Sequence, residues 1–358
     1  MRILVTGAAG LIGGELVARL AGRGHAVTAL VHKRHEVAGN NGVVLASRPA
    51  VSGPPVPGEV VTLAGDVRMP GFGLDAVPDV ELVLHSAAIT AFDAAPEVYE
   101  AVNLGGARHA VALAEAAGAA LLQVSTAYVC GTRDGRIGED ETGTAFVNGY
   151  EASKAAGEAL VRAAMARGLR AAIARPSIVV GDSGTGQIRS FDNIYMIFRL
   201  IAEGRVRTLP GAAGASLDLV PIDHVCTGIV AMAEDMARVA GRTLHLVADA
   251  PTPLASIGAA IAAVPGLGTP NFVDPADFAP ENLPPIERRY HAAAASLYTN
   301  YLLRGPVFDT AVARQFVPPC PDTGRAWLDL LIRYCVEAGF VKARPSARQG
   351  IDSAAFSA

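Results

Sequence analysis

The sequence predicts a doubly wound α/β fold: a parallel sheet covered by helices on both faces, with a smaller C-terminal lobe. Three observations predict it. Short, continuously apolar runs recur through the first half of the chain. Stretches rich in Ala, Glu and Leu separate them. The first run leads directly into a glycine-spaced turn and a helical pattern. Strands that are apolar throughout are those buried on both faces, as helix-covered parallel sheets require.

Taken in order, Ile3–Val5 is the first strand and Gly10–Gly22 the helix that follows it. Ala26–Val31, Val60–Leu63, Leu82–His85, Ala120–Ser125 and Arg170–Arg175 read as further strands, and Val98–Ala117 and Tyr150–Arg167 as helices. Residues 36–59 are rich in Gly, Pro and Asn, too irregular for a crossover helix, and read as a surface loop holding at most a short hairpin. After Gly181 the alternation fades. Val225–Arg238 reads as a helix and Thr243–Val247 as one more core strand. The expected division is a sheet domain of residues 1–181 with 216–248, and a lobe of 182–215 with 249–346. Residues 347–358 are polar and small, and are expected to form a frayed tail.

The chain has 358 residues, 51% hydrophobic and 18% charged, ample for a large core. Thirty basic against 34 acidic residues give a net charge of −4. That balance offers no electrostatic reason to expect nucleic acid or an anionic membrane as partner. No uncharged apolar run reaches the ~18 residues of a spanning helix, and MRILVTGAAG carries no cleavable-signal pattern. Cys130, Cys226, Cys320 and Cys335 are scattered, which predicts free thiols and a cytoplasmic protein. The eight histidines show no ligand spacing, so no metal is expected.

Gly7, Gly10 and Gly13, in TGAAGLIG, stand between the first strand and its helix. Glycines there let the backbone turn tightly and bring a pyrophosphate onto the positive end of the helix. Gly7, Ala9, Gly10, Leu11, Ile12 and Gly13 are therefore expected to cradle a dinucleotide. An acid at the end of the second strand would hold the ribose 2′-hydroxyl of NAD. This chain has His32, Lys33 and Arg34 instead, with no carboxylate before Glu36. Cations suit a 2′-phosphate, so NADPH is preferred and NADH is the alternative.

Tyr150 and Lys154 are four residues apart at the start of a helical segment, and so share one face. An ammonium beside a phenol favours phenolate and lowers its pKa, which would make Tyr150 a usable acid. Ser125 and Thr126 end a core strand, where parallel sheets gather their ligands, and either hydroxyl could hold a substrate carbonyl.

Together these features resemble the short-chain dehydrogenase/reductase superfamily in its extended form, a Rossmann-type fold, over nearly the whole chain. By that resemblance Asp66 and Val67 contact the adenine, Ser86, Ala87 and Ala88 pass beside the ribose, and Asn103 lies behind the active site. Pro176, Ser177 and Ile178 pack on the nicotinamide. A closer resemblance is to thioester reductases and fatty acyl-CoA reductases, the male sterility NAD-binding family. Gly65-Asp66 with Gly73-Leu74, His85–Ala88 with Phe92, Ser125–Val129, Asn148–Tyr150, Gly181–Gly186 and Val220–Asp223 carry it. That family's hydroxyl is usually Thr, which implies Thr126, Tyr150 and Lys154 as the catalytic set, with Ser125 as understudy.

The implied activity is NADPH-dependent hydride transfer to a CoA- or carrier-bound acyl thioester, or to the derived aldehyde. An acyl or peptidyl carrier protein would then be a partner, expected on another chain. The alternatives are a ketone or aldehyde reductase without thioester activity, a nucleotide-sugar epimerase or dehydratase, and a non-catalytic dinucleotide sensor. Phe92, Ala127, Tyr128, Phe191 and Tyr195 are candidate pocket walls. Asp223 reads as the N-cap of the helix after it, His85 as a core histidine, and Cys130 as a small apolar residue. Arg288 and Arg289 read as a solvated pair.

Overall fold

The computed structural model describes residues 1–211 and 214–343; the expected tail lies outside them. The main sheet has eight strands: β1 Arg2–Thr6, β2 Ala26–Val31, β3 Arg48–Pro49, β4 Val60–Ala64, β5 Leu82–His85, β6 Ala120–Val124, β7 Ala171–Pro176 and β8 Thr243–Leu246. Their order is β8-β7-β6-β5-β1-β2-β4-β3, and every pairing is parallel. The order reverses at β1, so the crevice for a ligand opens above the ends of β1 and β5.

Alternate residues of each strand feed opposite cores. Ile3, Val5, Leu82, Leu84 and Leu122 pack on the helices Leu11–Gly22 and Ile222–Glu234. Leu4, Val83, Leu121 and Ile173 pack on Gly105–Ala117 and Gly149–Ala166. The helix expected at Val98–Ala117 begins at Pro96 and passes through a π turn at Glu100–Leu104, which carries Asn103.

The lobe has its own apolar core, drawn from Ile194–Ala202, Leu254–Ala262, Ser296–Leu302 and Arg325–Glu337. It also recruits chain assigned above to the sheet domain. Gly135–Ile137, in the loop after β6, pairs in parallel with Pro306–Phe308. Conversely, Ala313, Val317 and Cys320 pack back into the sheet's core. Strand-end loops must cover whatever lies over the crevice, so the two units exchange segments there.

Two expectations need correction. Residues 36–59 are not a loop throughout, nor wholly at the surface: Arg48–Pro49 is the edge strand β3, a 3₁₀ turn follows at Ala50–Ser52, and Ala38 makes an antiparallel bridge to Val44. Val37 is fully buried and Asn40 is 6% exposed. Asn40 is satisfied there: its N–H donates to Glu15 and its side chain to the Gln187 carbonyl. Asp223 does not cap its helix, which starts one residue earlier. Its carboxylate accepts from the Ser183 N–H (2.8 Å) and hydroxyl (2.6 Å), fastening the segment after Gly181 to that helix. The four cysteines are free and buried. No helix among the described residues is long and apolar enough to cross a membrane.

Candidate active site

The glycine turn is built by close approach. Gly7 has φ +67°, and a Cβ there would lie 2.7 Å from the Ala87 nitrogen. A Cβ on Gly13 would lie 2.1 Å from the Gly7 carbonyl oxygen. Only glycine lets the helix start this near the strand ends. Thr6 completes the junction: its hydroxyl is 2.8 Å from His85 Nδ1 and accepts from the Ser86 and Ala87 N–H groups. His85 is thereby a core histidine, 1% exposed, with its pKa depressed to about 3 by burial.

A groove of about 530 Å³ runs from this turn along the ends of β2 and β4, lined by Gly7, Ala9, Gly10, His32, Lys33, Arg34, Asp66, Val67, Arg68 and Ser86–Ala88. Asp66 is engaged within it. Arg68 holds it at 2.6 Å and His32 Nε2 lies 3.5 Å away, so the carboxyl pKa falls to about 2, chiefly through the Arg68 hydrogen bonds. Lys33 and Arg34 are exposed and have no carboxylate partner among the described residues. A glycine cradle opening on a cationic groove fits a dinucleotide, which Gly7, Ala9–Gly13 and Ser86–Ala88 would hold at its middle and the β2–β4 side at its adenosine end.

A second cleft, of about 330 Å³, shares Gly7, Gly10, Ser86 and Ala88 with the groove and continues to Ser125, Thr126, Tyr150, Lys154 and Pro176–Ile178. Tyr150 enters from the first turn of Gly149–Ala166, whose start Asn148 caps by accepting the Glu151 N–H at 2.9 Å. Thr126 follows β6, lies beside the Tyr150 phenol and accepts from the Tyr128 N–H at 3.3 Å. Ser125 lines the same cleft. Its buried hydroxyl lies toward Glu158, where it helps keep that carboxylate ionised, without a hydrogen bond of good geometry. Asn103 fixes the back of the site. Its amide bonds both Ile89 backbone groups and donates to Ser153 Oγ at 2.8 Å.

The electrostatics differ from expectation. Burial raises the Tyr150 pKa to about 12, and the neighbouring Thr126 hydroxyl offsets it only in part. Lys154 does not pull it down. Its ammonium, fully desolvated and with a pKa lowered to about 8, donates to the Val124 carbonyl at 2.7 Å. Desolvation outweighs the cation. Tyr150 therefore stays a neutral proton donor across the physiological range.

Of the expected pocket walls, Phe92, Tyr128 and Tyr195 line the cleft. Ala127 and Phe191 do not. Ala127 is wholly buried in the turn under the cleft, and Phe191 stacks on Phe340 at 4.2 Å within the lobe. Tyr298 and Tyr301 take their places, with Tyr301 stacked on Phe92 at 5.2 Å. These two come from a helix far along the chain, with no local motif to mark them. Arg304 was also missed. It is 6% exposed, pairs with fully buried Glu151 at 2.6 Å and lies over the Tyr301 and Tyr128 rings. The Tyr301 hydroxyl donates to the same Glu151 oxygen at 2.8 Å. The lobe thus grips the residue next to Tyr150.

The segment 182–193 crosses beside the cleft to the lobe. It is fastened by Asn40, by Asp223, and by the Trp327 indole, which donates to the Asp182 carbonyl at 3.4 Å. Asn193, with φ +50°, starts the next helix and lines the cleft.

Residues 5–229 match the family model described as male sterility protein. The chain belongs to that family. It is thereby an NAD(P)-dependent oxidoreductase of the extended short-chain dehydrogenase/reductase type. It is 28% identical over 211 residues to the nonribosomal peptide synthetase asaC of Aspergillus flavus, covering 54% of this chain and 20% of that protein. It is 27% identical over 218 residues to the fatty acyl-CoA reductase wat of Drosophila melanogaster, covering 50% and 42%. The matches span less than half the length of these two relatives. A dTDP-4-dehydrorhamnose reductase of Mycobacterium tuberculosis is 29% identical, covering 68% and 69%. Among solved structures, the terminal R domain of the myxalamid PKS-NRPS pathway superposes with a TM-score of 0.77 at 25% identity, covering 96% and 92%.

Proposed function

We propose that this protein is an NADPH-dependent reductase that delivers hydride to the carbonyl of an acyl thioester, CoA- or carrier-bound, or of the derived aldehyde. The observation that carries this reading is the Thr126–Tyr150 hydroxyl pair facing one cleft, continuous with a groove whose β2 end bears Lys33 and Arg34 in place of an acid.

Bound NADPH supplies the hydride. Pro176, Ser177 and Ile178, which line the cleft, would form the wall for its ring. Thr126 and Tyr150 donate to the carbonyl oxygen as it gains charge, and Tyr150 gives up its proton. With a thioester the product is a thiohemiacetal, which loses thiol to leave an aldehyde; a second turnover gives the alcohol. Lys154, held on the Val124 carbonyl in the same cleft, would hold the ribose. The aromatic wall of Phe92, Tyr128, Tyr298 and Tyr301 suits an apolar acyl group over a polar sugar. Beyond it, and sharing Ile194 and Tyr195 with the cleft, a cavity of about 90 Å³ is lined by largely apolar side chains, most of them from the lobe.

The test is NADPH oxidation against acyl-CoAs, carrier-bound acyl groups and free aldehydes and ketones. Turnover of a thioester supports the reading. Turnover of ketones alone overturns it in favour of a plain carbonyl reductase, the reading that the similarity to dTDP-4-dehydrorhamnose reductases favours.

A further inference from the structure

Arg189 lies on the segment that crosses beside the glycine turn, and its guanidinium donates to the carbonyls of Gly10 (2.5 Å) and Ala9 (3.4 Å). Its own N–H is fixed on Asn40 Oδ1 at 3.1 Å, so the side chain starts from a held backbone. Its Nε–H is buried and has no partner. Burial destabilises its cation, and the like charge of Arg34 adds to the same effect. Glu15 offsets this in part, yet that carboxylate already accepts from Arg19 at 2.6 Å and from the Asn40 N–H. The other cations of the groove are differently placed: Arg68 is spent on Asp66, and His32 faces the same carboxylate. Ala9 and Gly10, whose carbonyls hold the Arg189 guanidinium, line the same groove as Arg34. Two arginines without a carboxylate salt bridge among the described residues thus flank one edge of the glycine turn, a seat for a dianion.

We propose that Arg189 and Arg34 together bind the 2′-phosphate of NADP(H), so that a lobe residue as well as the turn after β2 selects the cofactor. The proposal rests on the NADPH reading above. Arg34 sets the position: it puts the seat on the β2 side of the turn, where the adenosine ribose lies, away from the nicotinamide end. The anion accepts from both guanidinium groups and separates their charges. Cofactor binding is thereby tied to the segment that also carries Asn193 and leads into the lobe.

Calorimetry on the full chain with 2′,5′-ADP, 5′-AMP, NADP⁺ and NAD⁺ tests this without turnover. The wild type is expected to bind 2′,5′-ADP more tightly than 5′-AMP. Arg189→Gln is expected to weaken 2′,5′-ADP and NADP⁺ about tenfold, the scale of one charge-assisted hydrogen bond, and to leave 5′-AMP and NAD⁺ within about twofold. Arg189→Lys keeps the charge without the fork and is expected to fall between. Because one phosphate serves both arginines, Arg189→Gln with Arg34→Gln should lose less than the product of the single losses. Unchanged 2′,5′-ADP binding in Arg189→Gln, or an equal loss for NAD⁺ and 5′-AMP, overturns the proposal. A wild type that binds 2′,5′-ADP and 5′-AMP alike overturns the NADPH reading itself.

Discussion

Thr126→Val and Ser125→Ala separate two hydroxyls that adjoin in sequence and differ in their neighbours. Thr126 lies beside the Tyr150 phenol and holds the Tyr128 N–H; Ser125 turns toward Glu158. Valine keeps the β-branched shape and removes the hydroxyl. The lost turn cap should cost about 1 kcal/mol of stability. In a chain of this size that lowers Tm by roughly 1–2 °C. The lost donor to the developing oxyanion should cost about 3–4 kcal/mol, a fall in kcat of roughly 10²–10³-fold. The phenol should also become harder to ionise, since the Thr126 hydroxyl is what opposes its burial. Ser125→Ala removes a hydroxyl without a good hydrogen bond, and is expected to leave kcat within a few-fold. Single-turnover hydride transfer on the best substrate of the panel measures both, with melting curves to remove stability effects. If Ser125→Ala is the more damaging variant, Thr126 is not the second donor and the assignment of the reacting face is wrong.

Tyr150→Phe should lower turnover by ~10²-fold or more while leaving cofactor affinity within a few-fold, measured by titration and steady-state rates. Lys154→Ala should harm both, and in the wild type both should decline as pH rises through about 8, where the buried ammonium loses its proton; a flat profile to pH 10 refutes that role. Lys33→Ala with Arg34→Ala should sharply reduce the preference for NADPH, and its dependence on salt, leaving the part Arg189 holds, without changing NADH affinity. Arg304→Met leaves Glu151 buried without its cation, which should cost about 3–5 kcal/mol of stability by chemical denaturation; Arg304→Met combined with Glu151→Gln should recover part of it.

Much of the sheet was legible because its strands are buried on both faces. β2 and β5 fall where the apolar runs predict, at Ala26–Val31 and Leu82–His85, and the others differ by a residue at their ends, except the two-residue edge strand β3, which lies in the segment read as a loop. Glycine spacing marked the turn because φ and close approach leave no other residue at Gly7 and Gly13. Less was legible where function depends on distant chain. Tyr298, Tyr301, Arg304 and Arg189 reach the site from the lobe, and no local pattern distinguishes them from packing or surface residues. Phe191 illustrates the converse, an aromatic that looks like a pocket wall and serves the lobe's core. The misread Tyr150–Lys154 electrostatics have a related cause. Spacing of four residues gives proximity on a helix but not desolvation, and here desolvation dominates both groups.

The anchoring of Asp182 by Trp327 makes the protein its own optical gauge. Trp327 is the single tryptophan of the sequence, 3% exposed, and its indole N–H rests on a carbonyl of the crossing segment. Indole emission responds to the polarity and hydrogen bonding of its surroundings. A shift of that segment as nucleotide enters would therefore change the colour of an uncluttered signal, read by stopped flow without label, substrate or chemistry. Emission excited at the red edge of the indole band excludes the eleven phenylalanines and eight tyrosines. The rate at which the lobe follows the nucleotide could then be timed apart from the hydride step.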